Sequence, residues 1–284
     1  MKILRAEHLG MCFGVRDAIA LALGQAQREP LTILGDLVHN ETVLDGLRSR
    51  GVRFADRPDT ASTNRVMITA HGASQAAIGA VRSRGHEVVE ATCPLVHFAH
   101  RAVAAFVRDG FHPVIVGQRN HVEVRGVVED LAEFDVVLSE ADIDALAERP
   151  RFGVAAQTTQ PIERVRHLVE HLRRRFPKSE VCFRDTVCQP TKQRQSAAVA
   201  LARQCDAVVV IGGAHSNNTR ELVATCRQHC SRVFHVQTAA DLRPEWFDGS
   251  QTVGITAGTS TPDTIIREVE LRLAAWTADA CMAA

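Results

Sequence analysis

A surplus of either charge is missing from this sequence, since 33 Lys and Arg stand against 33 Asp and Glu in 284 residues. That balance excludes an overall basic field of the kind that holds nucleic acid. Long apolar runs are missing as well. Stretches such as "DAVVVIGGA" fall far short of a membrane span, and the opening "MKILRAEHLG" reaches Glu7 and His8 before anything a signal peptide would need. A soluble, cytoplasmic protein with neither membrane nor nucleic acid as partner is expected. No Gly-x-Gly-x-x-Gly follows a strand-like run, which argues against a bound nicotinamide.

What is present is the composition of a globular enzyme, 45% apolar and 23% charged, in a chain long enough for two or three small α/β lobes. Eight cysteines lie at 12, 93, 182, 188, 205, 226, 230 and 281. The chain is neither small nor visibly exported, so they read as reduced thiols rather than as a disulfide framework.

Short β-branched runs ("LTILGD", "RVMITAHG", "HPVIVGQ", "DAVVVIGG", "TVGITAG") alternate with amphipathic stretches such as "PLVHFAHRAVAAFVRDG". That alternation is the βαβ pattern of parallel sheets covered by helices, whose ligands collect at the carboxyl ends of strands. Cys12, Cys93 and Cys188 all fall at such ends and at the starts of helices, where backbone N–H groups and the helix dipole favour a thiolate. His39, His121 and His215 follow these cysteines after 27, 28 and 27 residues, and His71, Thr158 with Thr159, and Ser260 supply a further polar end to each unit. A regular βαβ repeat would give this period without any shared site, but the recurrence of residue types points to three quasi-equivalent α/β lobes facing a common centre. Their expected bounds are 1–92 with Cys12, 93–187 with Cys93 and 188–284 with Cys188.

Thiolates spaced this widely lack the Cys-x-x-Cys closure of a zinc ribbon. A 4Fe-4S cluster held by three of them keeps one iron for substrate. The surrounding His, Thr, Ser and Asn suit an anionic ligand, and "GGAHSNNTREL" offers a close-approaching backbone and a helix N-terminus to phosphate.

At these residues the sequence resembles the 4-hydroxy-3-methylbut-2-enyl diphosphate reductases, the LytB or IspH family. The pieces "CFGVRDAI", "VHNETVLDGL", "TAHGAS", "ATCPLV", "HVEVRG", "QTT", "DTVCQPTKQRQ", "HSNNTREL" and "AGTSTP" occur in the family's order along nearly the whole chain. The resemblance implies a trefoil of three α/β lobes around one 4Fe-4S cluster ligated by Cys12, Cys93 and Cys188. It assigns the diphosphate to His39, His71, Ser216, Asn218 and Ser260, with His121 and Asn217 close by, and it puts Glu123 and Thr158 beside the substrate hydroxyl. The implied reaction is the last step of the non-mevalonate isoprenoid route. In it, Glu123 acting through Thr158 protonates the hydroxyl of the allylic diphosphate, water leaves, two electrons enter through the cluster, and a second proton taken up at either end of the resulting allyl species gives isopentenyl or dimethylallyl diphosphate. A ferredoxin- or flavodoxin-type protein is the implied donor. Asn120, Val122, Val127 and His97 depart from the family's usual residues.

Other readings compete. A cluster enzyme using its iron only as a Lewis acid would be a hydratase needing no reductant, and a structural Cys₃ zinc site would be colourless. Cys182, Cys205 and Cys281 read as small buried hydrophobes, Cys226 and Cys230 as a buried helix stripe, and His167 and His171 as a solvated face. Arg173 to Phe176 reads as helix surface, with a basic dock for an acidic electron donor as the alternative.

Overall fold

The computed structural model describes residues 1–282, with side chains through Trp276. Its strands are β1 (Lys2–Arg5), β2 (Leu31–Leu34), β3 (Arg53–Ala55), β4 (Arg65–Ile68), β5 (Glu87–Glu90), β6 (His112–Val116), β7 (Asp135–Val137), β8 (Arg151–Ala156), β9 (Glu180–Phe183), β10 (Ala207–Ile211), β11 (Val233–Val236) and β12 (Thr252–Ala257). The helices are α1 (Phe13–Ala26), α2 (Glu41–Arg48), α3 (Gln75–Ser83), α4 (Pro94–Arg108), α5 (Val122–Val128), α6 (Glu140–Asp144), α7 (Ile162–Arg175), α8 (Gln189–Ala202), α9 (Asn217–Arg227) and α10 (Asp263–Met282). Local chemistry explains their form. All five residues of β10 are buried, as befits a parallel strand covered on both faces. Helix α4 starts on Pro94, whose fixed φ suits a first turn, buries Val96, Ala99, Val103 and Phe106 on one stripe, and is followed by Gly110 at φ 76°.

The chain divides into two compact units, Met1–Val15 with His39–Val43 and Gln189–Ala284, and Arg16–Val38 with Leu44–Cys188. The first holds one parallel sheet in the order β1-β12-β10-β11. The second holds two parallel sheets, β3-β2-β4-β5 and β7-β6-β8-β9. β1 therefore leaves the expected segment 1–92. It pairs with β12, Ile3 opposite Val253, because β12 has β10 on only one side and offers its other edge to the first strand of the chain.

One order recurs in all three sheets. The edge strand leading to a cysteine (β1, β5 or β9) lies beside β12, β4 or β8, then comes β10, β2 or β6, and last the opposite edge, β11, β3 or β7. Every polar strand end singled out in the sequence follows one of the first three positions. Among the described residues no helix is long and apolar enough to cross a membrane.

Candidate functional site

In the larger unit the site residues are joined through Thr158. Its backbone N–H and its hydroxyl donate to Glu123 Oε1 and Oε2 at 2.6 and 2.9 Å, and its carbonyl accepts the backbone N–H of Cys188 at 3.0 Å. Glu123 is the second residue of α5, and the preceding His121 caps that helix, Nδ1 accepting the Glu123 N–H at 3.1 Å. That bond leaves the ring proton on Nε2. The His71 ring meets the His121 ring edge-on at 5.7 Å between centroids. Gly126 brings α5 against the backbone of Ala73, where a Cβ would come within 3.3 Å, so the turn after β4 and the start of α5 are held side by side.

Glu123 is 2% exposed, and burial pushes its carboxyl up to about 7 against the two hydrogen bonds from Thr158, which pull it down. Behind it lies a cavity of about 10 Å³ walled by Val103, Ile115, Val124, Val127 and Ala155, room for at most one water. On its other side the Glu123 carboxyl meets the two polar groups of Thr158.

The smaller unit repeats this construction with an amide. Asn218, the second residue of α9, accepts the Thr259 N–H on Oδ1 at 2.9 Å, and the Thr259 carbonyl accepts the Cys12 N–H at 3.0 Å. Ser216 caps α9 by accepting the Thr219 N–H at 3.3 Å, which leaves its hydroxyl hydrogen to donate elsewhere. Asn218 Nδ2 is buried with no hydrogen-bond partner, a donor awaiting an acceptor. Ser216, Asn217, Asn218 and Ser260 are all nearly inaccessible. His39 belongs here: Ser260 Oγ donates to its carbonyl at 3.4 Å, and a side chain on Gly213 would run into that same oxygen.

The third sheet offers a partial match. The Cys93 N–H donates to the carbonyl of Ala70, again the second residue past the neighbouring strand, as Thr158 and Thr259 are. Each of the three cysteines is half-buried and outside any disulfide. His215, which the 27-residue spacing places in the third set, is exposed, and Ser216 takes the capping place that His121 holds after β6. Two residues that the sequence did not single out also serve these turns. Thr186 Oγ1 bonds both the N–H and the carbonyl of Ala156, and Arg194 donates to Gly10.

The remaining candidates fall outside this construction. Cys226 and Cys230 are core residues, Cys205 packs against the same cluster, and burial pushes the thiols of Cys205 and Cys226 up to about 11 and about 12. Cys182 is half-buried against Val103 and Phe106, and the side chain of Cys281 lies outside the described residues. His167 pairs with Glu140 and His171 with Asp144, while Arg173 and Arg175 face Glu170 and Asp144, so carboxylates offset this helix's charge. Among the described residues no group of three or more His, Cys, Asp or Glu is arranged around a single metal ion.

The sequence profile of the LytB protein family matches residues 3–274. The chain belongs to the LytB family. Among its relatives, the 4-hydroxy-3-methylbut-2-enyl diphosphate reductase of Aquifex aeolicus is 37% identical over 278 residues, 95% of each chain. That of Geobacter sulfurreducens is 37% identical over 276 residues, 96% of this chain and 97% of the relative. A solved (E)-4-hydroxy-3-methyl-but-2-enyl diphosphate reductase, described as the terminal enzyme of the non-mevalonate pathway, is 36% identical and covers 96% of this chain and 99% of its own, with a TM-score of 0.69. The Plasmodium falciparum reductase superposes with a TM-score of 0.90 over 95% of this chain and 87% of its own at 24% identity, a likeness of fold.

Within this LytB chain the unusual residues have ordinary surroundings. Val122 takes the first position of α5, Val127 packs into the apolar cluster with Val103 and Phe106, and Asn120 is exposed. His97 Nε2 lies 3.6 Å from Glu90 Oε1.

Proposed function

We propose that the protein is a 4-hydroxy-3-methylbut-2-enyl diphosphate reductase, removing the allylic hydroxyl as water and giving isopentenyl and dimethylallyl diphosphate. The observation that carries this reading is the pair of matched networks, Cys188–Thr158–Glu123 and Cys12–Thr259–Asn218, one ending in a carboxyl held near neutrality and the other in a buried amide with an unfilled donor.

The donor set fits an iron–sulfur cluster. Cys12, Cys93 and Cys188 are soft ligands, half-buried, each immediately before a helix and each with its backbone N–H already satisfied by a strand-end carbonyl. A cubane spreads its protein ligands over separate iron atoms, which suits three cysteines that each follow a different strand. These three would hold a 4Fe-4S cluster, which when bound would pass on, one at a time, the two electrons that the reaction consumes.

The chain's own residues do the rest. Glu123, whose carboxyl burial raises to about 7 so that it keeps its proton to higher pH than an ordinary carboxyl, gives that proton to Thr158 Oγ1, whose hydroxyl hydrogen passes to the departing oxygen. Asn218, Asn217 and Ser216 offer buried donors to phosphate oxygens, the Ser260 hydroxyl can turn to phosphate from its long bond to the His39 carbonyl, and the rings of His39, His71 and His121 add N–H groups. Electrons come from a ferredoxin- or flavodoxin-type protein, in keeping with a chain that has no dinucleotide fingerprint.

The test is anaerobic loading with iron and sulfide, then incubation with the diphosphate substrate and a chemical reductant. Both isoprenoid diphosphates should appear only with reductant. Turnover without reductant would turn the reading to a hydratase, and a fully loaded, reduced chain that leaves the substrate intact would overturn it.

A further inference from the structure

The three cysteine turns differ in length, and the longest carries a brace of its own. Cys93 stands three residues past β5, which ends at Glu90; Cys188 stands five past β9, which ends at Phe183; Cys12 stands seven past β1, which ends at Arg5. A longer turn has more conformations to lose when its thiolate must hold one place. The turn before Cys188 is pinned by Thr186, whose hydroxyl bonds both the N–H and the carbonyl of Ala156 at 2.8 and 2.6 Å. The turn before Cys12 contains Gly10 at φ 75°, a left-handed backbone that only glycine adopts readily, and a Cβ there would lie 2.7 Å from Ile266.

Arg194 holds this turn. Its Nε and Nη2 donate to the Gly10 carbonyl at 2.9 and 2.6 Å, its Nη1 donates to the Pro190 carbonyl at 3.0 Å, and the side chain is 7% exposed. The two bonded carbonyls lie two residues before Cys12 and two after Cys188. Arg194 is the sixth residue after its cysteine; the sixth residues after Cys12 and Cys93 are Ala18 and Ala99, each 2% exposed. A buried guanidinium thus stands where the other two segments have a methyl group, and it reaches for the one turn that is longest.

We propose that Arg194 is a positioning residue for Cys12: its fork locks the Gly10–Cys12 turn against the first turn of α8 so that the thiolate is preset for its iron. This rests on the cluster reading above. Asp263 lies beside the same turn, Oδ1 being 3.5 Å from the position of a Gly10 Cβ.

The experiment compares Arg194→Met and Arg194→Lys with Val269→Ala, a core change in the same unit at a residue that is 0% exposed. Melting temperature and the rate of iron release to a chelator are measured anaerobically on loaded chains. Arg194→Met should release iron faster than a Val269→Ala chain of equal melting temperature by about tenfold or more, as for lost outer partners of metal ligands. Arg194→Lys should fall between, because an ammonium can donate to the carbonyls without forking. Equal release at equal melting temperature would show a merely structural arginine and overturn the proposal. If Arg194→Met does not fold, Arg194→Lys decides by the same comparison. A wild-type chain that takes up no iron and sulfide would defeat the cluster reading, and this inference with it.

Discussion

Glu123 and Asn218 hold the same position in two different sheets. Each is the second residue of the helix after the third strand from its sheet's cysteine side counted inward from the edge, β6 or β10 as the inner neighbour of β8 or β12. Each accepts the N–H of a threonine two residues past that neighbour, and that threonine's carbonyl accepts a cysteine N–H. One scaffold therefore presents an acid in one place and an amide in the other. The acid can release a proton; the amide can only donate and accept.

Replacing the acid by its isostere separates these roles. Glu123→Gln can accept the Thr158 N–H on its oxygen and donate to Thr158 Oγ1 from its nitrogen, imitating the protonated acid without its labile proton. Iron content and pyrophosphate binding should stay at wild-type levels while kcat under saturating reductant falls about 100-fold or more. Unchanged kcat would remove Glu123 from the proton path.

The same substitution should alter how stability depends on pH. The Glu123 carboxyl is raised from 4.5 to about 7 in the folded chain. Below about pH 4.5 both folded and unfolded chains keep the proton, and the neutral group is at ease in its burial. Between 4.5 and 7 the unfolded chain releases a proton that the folded chain retains, so stability falls as pH rises through 7, by on the order of 3 kcal/mol. Glu123→Gln has no charge to bury, so its urea midpoint should gain on the wild type between pH 5 and pH 8. A constant difference across that range would mean that the carboxyl ionises at its ordinary pH.

Asn218 is expected to act on binding. Asn218→Asp keeps an acceptor for the Thr259 N–H but replaces the buried donor with a carboxylate oxygen, which repels phosphate. KM should rise by about 10- to 100-fold, the worth of one or two charge-assisted hydrogen bonds. Pyrophosphate should compete with substrate for the wild-type chain and much less well for this variant. Equal competition in both would place the anion elsewhere.

The cysteines divide into two sets with opposite expectations. Cys12→Ser, Cys93→Ser and Cys188→Ser should each abolish the brown absorption of the loaded protein, because a hydroxyl is a poor ligand for these irons. Ser at Cys205, Cys226 or Cys230 should leave that absorption intact and lower the melting temperature, since these thiols are packed with Leu201, Leu222 and Val233, and burial also raises those of Cys205 and Cys226. Loss of absorption in the second set with retention in the first would reverse the assignment.

Much of this arrangement was legible because strand ends are local. A β-branched run that gives way to Cys-Pro, His-x-Glu or Ser-Asn-Asn marks both the strand and the polar residue beyond it, and parallel pairing then brings those ends to one edge of the sheet. The home of β1 was not legible, since nothing in "KILR" names β12 as its partner across some 250 residues. Arg194 was hidden for a related reason: within "TKQRQ" it reads as a solvated helix charge, and only the packing of α8 shows it buried on Gly10. The elevated carboxyl of Glu123 depends on apolar walls from α4, β6 and β8, which no spacing within "HVEV" encodes.

Thr158 gives the sharpest test, because its two donors to Glu123 can be removed separately. Thr158→Val keeps the backbone N–H on Oε1 and nearly the same volume, but it strips the hydroxyl from Oε2 and with it the relay toward substrate. Thr158→Ser keeps the hydroxyl and loses only a methyl group. If the proton passes through Oγ1, the valine enzyme should lose kcat by about 100-fold while the serine enzyme stays within a few-fold of wild type. The Val substitution also takes a hydrogen bond from the ionised carboxylate, which raises the Glu123 pKa further. The residual activity of Thr158→Val should accordingly hold to higher pH than that of the wild type. A purely structural threonine would give the opposite pattern: both variants would melt earlier, in proportion to their lost packing, and both would turn over at the wild-type rate with an unshifted pH profile. Slow turnover in Thr158→Val alone, with its alkaline limb displaced upward, is the outcome that the Glu123–Thr158 geometry requires.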